Sequence, residues 1–139
     1  MTLTRSLRVS CDLTVSRSVS ISLVQSINAI TALTGIKNGQ LLDCESTVGL
    51  VKTAVEEAIT VAEAQGVVVR KDAVSHVLEV AKATAGNRSS MGQDIDNQRP
   101  TEIEAINGVV VREAERLGMQ APVNRTLTTL VETLQTHYS

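Results

Sequence analysis

Six hydrogen-bonding residues stand out: Asn28 inside the first helical pattern, Asn38 in its exit turn, and Asn87, Ser89, Ser90 and Glu102 around the start of a later one. Amides and hydroxyls pair with hydroxyl, carbonyl and carboxylate groups, and helix N-termini favour anions, so these residues suit the binding of a small polyoxygenated acid. Each also has an architectural reading: Glu102 complements a helix dipole, Ser90 caps a short turn, and Asn38-Gly39 makes a turn. Other chemistries have less support. The eight glycines form no G-x-G, which removes the dinucleotide fingerprint and the phosphate-binding loop. G-x-S-x-G is absent, and His76 and His137 both lie in helical patterns. His76 and Glu79 share a helix face, but two ligands cannot close a zinc shell, so no metal is expected.

The elements that must position these residues belong to one domain, the default for 139 residues. With 42% apolar and 20% charged residues the chain is globular, and a net charge of −2 gives no reason to expect nucleic acid or an anionic membrane. There is no Trp or Phe and one Tyr, at position 138, so Val, Leu, Ile and Ala must fill the core, which favours closely packed helices. Cys11 and Cys44 are too few for a disulfide framework, which points to a reduced, cytoplasmic compartment. No run reaches the roughly 18 apolar residues of a membrane span.

Residues 1–24 alternate apolar and polar side chains, as a strand would, and residues 1–20 are set apart as an arm or linker; strand, exchanged arm and transit peptide all remain open. The remainder, residues 21–139, is expected to be helical. A first helix runs from about residue 21 to Leu33 and closes at Gly35, followed by a turn at Lys37-Asn38-Gly39. A second spans Ser46 to Gln65 with Val48, Val51, Val55, Ile59 and Ala62 on one face and Gly66 as its stop. A third starts at Asp72 as N-cap and ends by Gly86. Residues 87–100 read as an interruption. Thr101-Glu102-Ile103-Glu104 then reads as a capping box for a helix running to Gly118, which Val109 and Val111 would make the central, multiply buried one. A last helix starts near Asn124, after a loop around Pro122.

The stretch N-R-S-S-M-G-Q-D at 87–94, R-P-T-E-I-E-A-I-N-G at 99–108 and P-V-N-R-T-L at 122–127 together resemble the C-terminal helical domain of ketopantoate reductase, the NADPH-dependent 2-dehydropantoate 2-reductase family. I-N-A-I-T-A-L at 27–33 and N-G-Q-L-L at 38–42 resemble that family's first helix and its exit turn, so the likeness covers roughly residues 26 to 135. The resemblance implies an all-α, multi-helix fold of the kind shared with 6-phosphogluconate dehydrogenase-like C-terminal domains, with no Rossmann domain in the chain. It also implies that Asn28 and Asn38 bind substrate, that Ser90 meets its carboxylate and that Glu102 binds its hydroxyl.

Two departures from the family follow. Its first helix carries Lys-x-x-x-Asn-x-x-x-Asn ending at the residue matching Asn28, and counting back by fours gives Val24 and Ser20 here. Serine has no accessible proton near neutral pH and cannot replace an ammonium as general acid, so no catalytic residue is expected. NADPH would be held by the nucleotide-binding domain that the resemblance places elsewhere, and this chain is expected to bind no cofactor. The expectation is a substrate-binding and dimerisation domain, inactive alone, that meets a 2-keto acid and pairs with a Rossmann domain or with itself. The competing reading is a helical interaction module, or a truncated relic, that keeps the fold without using the site.

Overall fold

The computed structural model describes residues 23–139. The expected arm at residues 1–20, Ser20 included, lies outside them. The described residues form six α-helices and one 3-10 helix and contain no strand. These are α1 (Asn28–Thr34), the 3-10 helix (Asn38–Leu42), α2 (Glu45–Ala64), α3 (Ala73–Ala83), α4 (Ser90–Asp96), α5 (Ile103–Arg116) and α6 (Pro122–Thr136).

α2 follows its apolar period: Val51, Ala54, Val55, Ala58, Val61 and Ala62 are buried, which is the i, i+3, i+4, i+7 face of a helix. Gly66, at φ 84°, takes the left-handed conformation that ends it. Gly35, at φ 76°, does the same for α1, its N–H returning to the Thr31 carbonyl. α1 is shorter than its pattern, because Leu23 to Gln25 form a separate helical turn and Ser26 and Ile27 break the run. Ser26 Oγ donates to the Leu23 carbonyl at 2.6 Å, a local bond that competes with the helix ladder.

The core is aliphatic. Leu41, Ile103, Val51, Val55, Val77 and Val131 are its largest wholly buried apolar side chains, and Ala29, Ala54, Ala73, Ala81 and Ala114 let the helices approach closely. α6 packs on α1, α2 and α5, while α2 also meets α3 and the 3-10 helix. The expectation that the helix after Thr101 is the central one is therefore corrected. α5 packs chiefly on α2 and α6, and Val109 stays 37% exposed, so it has one buried face. Pro122 also belongs to a helix, opening α6 at a position where its missing N–H costs nothing.

Candidate functional site

Of the polar residues flagged by the sequence, Asn28, Ser89 and Ser90 belong to the two helices that meet at the α1–α4 contact. Ser89 is the N-cap of α4 and is buried, its Oγ accepting from Gly92 N–H at 3.0 Å. Its hydroxyl lies 2.7 Å from Thr31 Oγ1, and Thr31 Oγ1 donates to the Asn28 carbonyl at 3.0 Å. Since Thr31 has one proton and spends it on Asn28, Ser89 is the donor to Thr31. A directed chain thus runs from the Gly92 amide through both hydroxyls to the first carbonyl of α1.

Arg88 fastens the same contact from its other side. Its Nη1 donates to the carbonyls of Thr31 and Ile36, the latter at 2.9 Å, while Nε and Nη2 each meet an Asp96 carboxylate oxygen at 3.0 Å. The planar fork of guanidinium matches a carboxylate in this way. Gly92 makes room for it: a Cβ there would sit 2.5 Å from Arg88 Cζ. The guanidinium beside Asp96 also holds that carboxyl below its ordinary range.

Each expected site residue can now be placed. Asn28 is the first residue of α1 and half-buried, and its side chain engages no described residue. Ser90 is the first residue of α4, exposed and likewise unengaged; it caps nothing, because the cap is Ser89. Asn28 thus stands one turn before Thr31 on α1 and Ser90 directly after Ser89 on α4. Asn38 sits in the 3-10 helix, its N–H donating to the Asn87 carbonyl at 3.0 Å and its Nδ2 to Thr84 Oγ1 at 3.0 Å. Its Oδ1 is buried without a partner among the described residues. Gly39 brings this turn close, since a Cβ there would meet the Ala85 Cβ at 2.5 Å. Glu102 is the exposed N-cap of α5, and no described hydrogen bond joins its carboxylate to the α1–α4 contact.

The capping box expected at Thr101 and Glu104 does not form. Thr101 gives its N–H to Gln135 Oε1 of α6 at 2.6 Å and turns its hydroxyl to the same oxygen, while Glu104 Oε2 takes Arg112 Nη1 at 2.7 Å. A tertiary partner for Thr101 and a partner further along the same helix for Glu104 have displaced the local pairing. In the two polar motifs, the side chains of Arg88, Ser89, Gln93, Asp94, Arg99, Thr101, Glu104 and Asn107 all have partners. Those of Asn87, Ser90 and Glu102 have none among the described residues. Arg88 and Thr31 escaped the sequence reading. The available signal was the Arg88–Gly92 spacing, where a side chain one turn earlier lies across a residue without Cβ.

Among the described residues no group of three or more His, Cys, Asp or Glu could hold a metal, and no helix is long and apolar enough to cross a membrane. The fold and the α1–α4 contact define an all-helical domain with hydrogen-bonding side chains left free at helix starts. A family model described as "Ketopantoate reductase PanE/ApbA C terminal" matches residues 20–135, and the chain belongs to that family. A 2-dehydropantoate 2-reductase of Halobacterium salinarum is 42% identical over 109 residues, which is 78% of this chain and 36% of that protein. The crystal structure of a ketopantoate reductase from Ralstonia eutropha JMP134 aligns with a TM-score of 0.81 at 28% identity, covering 85% of this chain and 40% of the other. A D-mandelate dehydrogenase solved with NADH and anilino(oxo)acetate aligns with a TM-score of 0.76 at 25% identity, over 85% of this chain and 39% of that one. The chain thus spans about two fifths of the length of these relatives.

Proposed function

We infer that these 139 residues supply the substrate-binding half of a ketopantoate reductase-type site, taking 2-dehydropantoate or pantoate through Asn28, Ser90 and Glu102. The observation that carries this reading is the division of labour in the two motifs, whose polar side chains are consumed by the fold except at Asn87, Ser90 and Glu102. Asn28 lies one turn before Thr31 and Ser90 follows Ser89, so each neighbours in its own helix a partner of the bond that joins α1 to α4, and amide and hydroxyl groups suit a small oxygenated acid. Asn38, the fourth residue of the resemblance, has its amide nitrogen committed to Thr84 and its buried Oδ1 without a partner among the described residues.

Hydride transfer needs NADPH and a nucleotide-binding unit, as the length of the relatives suggests. Val24 stands where the family resemblance expects an asparagine, and Val offers no hydrogen bond. The purified chain is therefore expected to oxidise no NADPH in the presence of 2-dehydropantoate. The likeness to a D-mandelate dehydrogenase supports a scaffold able to serve more than one small acid, with selection left to a few side chains.

Calorimetric titration with pantoate and 2-dehydropantoate tests the reading. Saturable heat that disappears in both Ser90→Ala and Glu102→Ala is the expected outcome; flat titrations from a folded chain would overturn it. A second reading, self-association, is favoured by Leu50, Leu130 and Leu134, which stay 36%, 49% and 38% exposed. Sedimentation across a concentration series decides it, a monomer throughout counting against any dimer.

A further inference from the structure

An arginine beside a proposed carboxylate site would ordinarily be assigned to the ligand. Arg88 cannot serve that way here, because every nitrogen of its guanidinium is already engaged. Nε and Nη2 hold Asp96, Nη1 holds the Thr31 and Ile36 carbonyls, and Nη2 also lies 3.4 Å from the Gly92 carbonyl. Its side chain is 18% exposed, against 54% for Asp96. The Thr31 carbonyl lies in the last turn of α1, where it also takes the Gly35 N–H at 2.9 Å, and the Ile36 carbonyl lies just past the helix, where backbone acceptors lack helical donors.

We propose that Arg88 is the positioning residue of the ligand site, clamping the start of α4, and with it Ser90, onto α1 beside Asn28. α4 has seven residues and α1 has seven, too few to hold a fixed orientation through helix formation alone. Packing of the buried Met91 and the Thr31–Ser89 bond hold their contact, but that bond is a single directional tie. Arg88 adds contacts on two carbonyls that lie five residues apart, and Asp96 holds the guanidinium in plane. Lysine, with a point charge and no fork, can satisfy only part of this set. Gly92 is the second half of the device, since any side chain there would push the guanidinium from its seat.

Two variants of the full chain probe the clamp by independent routes. Arg88→Lys keeps the charge and loses the fork. Gly92→Ala keeps Arg88 but forces its guanidinium to shift, while alanine favours a helix over glycine. Each is titrated with pantoate and 2-dehydropantoate and followed by amide hydrogen exchange at Gly35, Gly92 and Gln93, with thermal melting as the check on folding. Both are expected to exchange faster at those amides and to bind the acid about tenfold more weakly, through misplaced contacts rather than lost ones. Arg88→Lys binding with native affinity, or both variants keeping native exchange, overturns the proposal. The titration arm rests on the function proposed above. If the native chain binds neither acid, that function fails by itself, and exchange alone then decides whether Arg88 clamps α4 to α1.

Discussion

The contact between α1 and α4 and the joint where α2, α5 and α6 meet are both built from hydrogen-bonding side chains, yet they spend them differently. At the second joint Asn107 and Asn124 are wholly buried. Asn107 Nδ2 donates to Asn124 Oδ1 at 3.0 Å, and Asn124 Nδ2 donates to the Ala54 carbonyl and to Glu57 Oε1. Glu57 also accepts the backbone N–H groups of Val123 and Asn124, at 2.9 and 3.0 Å, and so caps the start of α6 with a carboxylate from α2. This network faces inward and joins helices. The α1–α4 contact has a similar bonded centre, Thr31 with Ser89, but leaves Asn28 and Ser90 at its rim. Polar residues in a helical motif therefore divide by reach: those near the axis of a contact build it, and those at its edge are available to a ligand.

The comparison is broken most directly at the buried joint. Asn124→Leu removes the side-chain donor to Ala54 and to Glu57 and strands the buried Asn107 amide, so urea denaturation should show a loss of about 3 kcal/mol. Glu57→Gln keeps one acceptor but loses the charged cap, and a smaller loss of about 1–2 kcal/mol is expected in the same assay. At the α1–α4 contact, Ser89→Ala should cost about 1 kcal/mol, the usual value of an N-cap. Ser90→Ala, one residue on, should change stability by less than about 0.5 kcal/mol while abolishing ligand heat. If Ser90→Ala destabilises as much as Ser89→Ala, the division between builders and free residues collapses.

The smallest expected effect is electrostatic. Arg88 hydrogen-bonds Asp96 and lowers its pKa from 3.8. A carboxyl depressed in the folded state contributes stability that is present above its unfolded value and lost as pH falls through its folded one. A carboxyl chemical-shift titration should therefore place the Asp96 midpoint below about 3.8, its ordinary value. Arg88→Lys should move it back upward; an unchanged midpoint would show that the guanidinium is not seated on Asp96.

Much of the fold was legible because helical periodicity is local. The burial stripe of α2, the stops at Gly35 and Gly66, and the start of α3 after Asp72 agree with the sequence to within a residue or two. Asp72 nonetheless caps without its side chain, which Arg70 takes in a bidentate pair at 3.0 and 2.7 Å. α4 went unread, since Met91 and Ile95 are its only large apolar residues and Gly92 sits among them. A segment that short is helical because α1 and Arg88 hold it.

The sequence by itself determined the helical class, the aliphatic core, the positions of the longer helices and, through motif resemblance, the family. Which of two adjacent serines caps and which stays free, that Thr101 turns to Gln135 instead of pairing with Glu104, and that Arg88 reaches α1 were decided by tertiary structure. The reason is distance along the chain: Ser89 meets Thr31 58 residues away, Arg88 meets Ile36 across 52, and Thr101 meets Gln135 across 34. Periodicity is set by backbone geometry within one helix. A side chain with several hydrogen-bonding choices is assigned only when packing brings one partner within reach and removes the others.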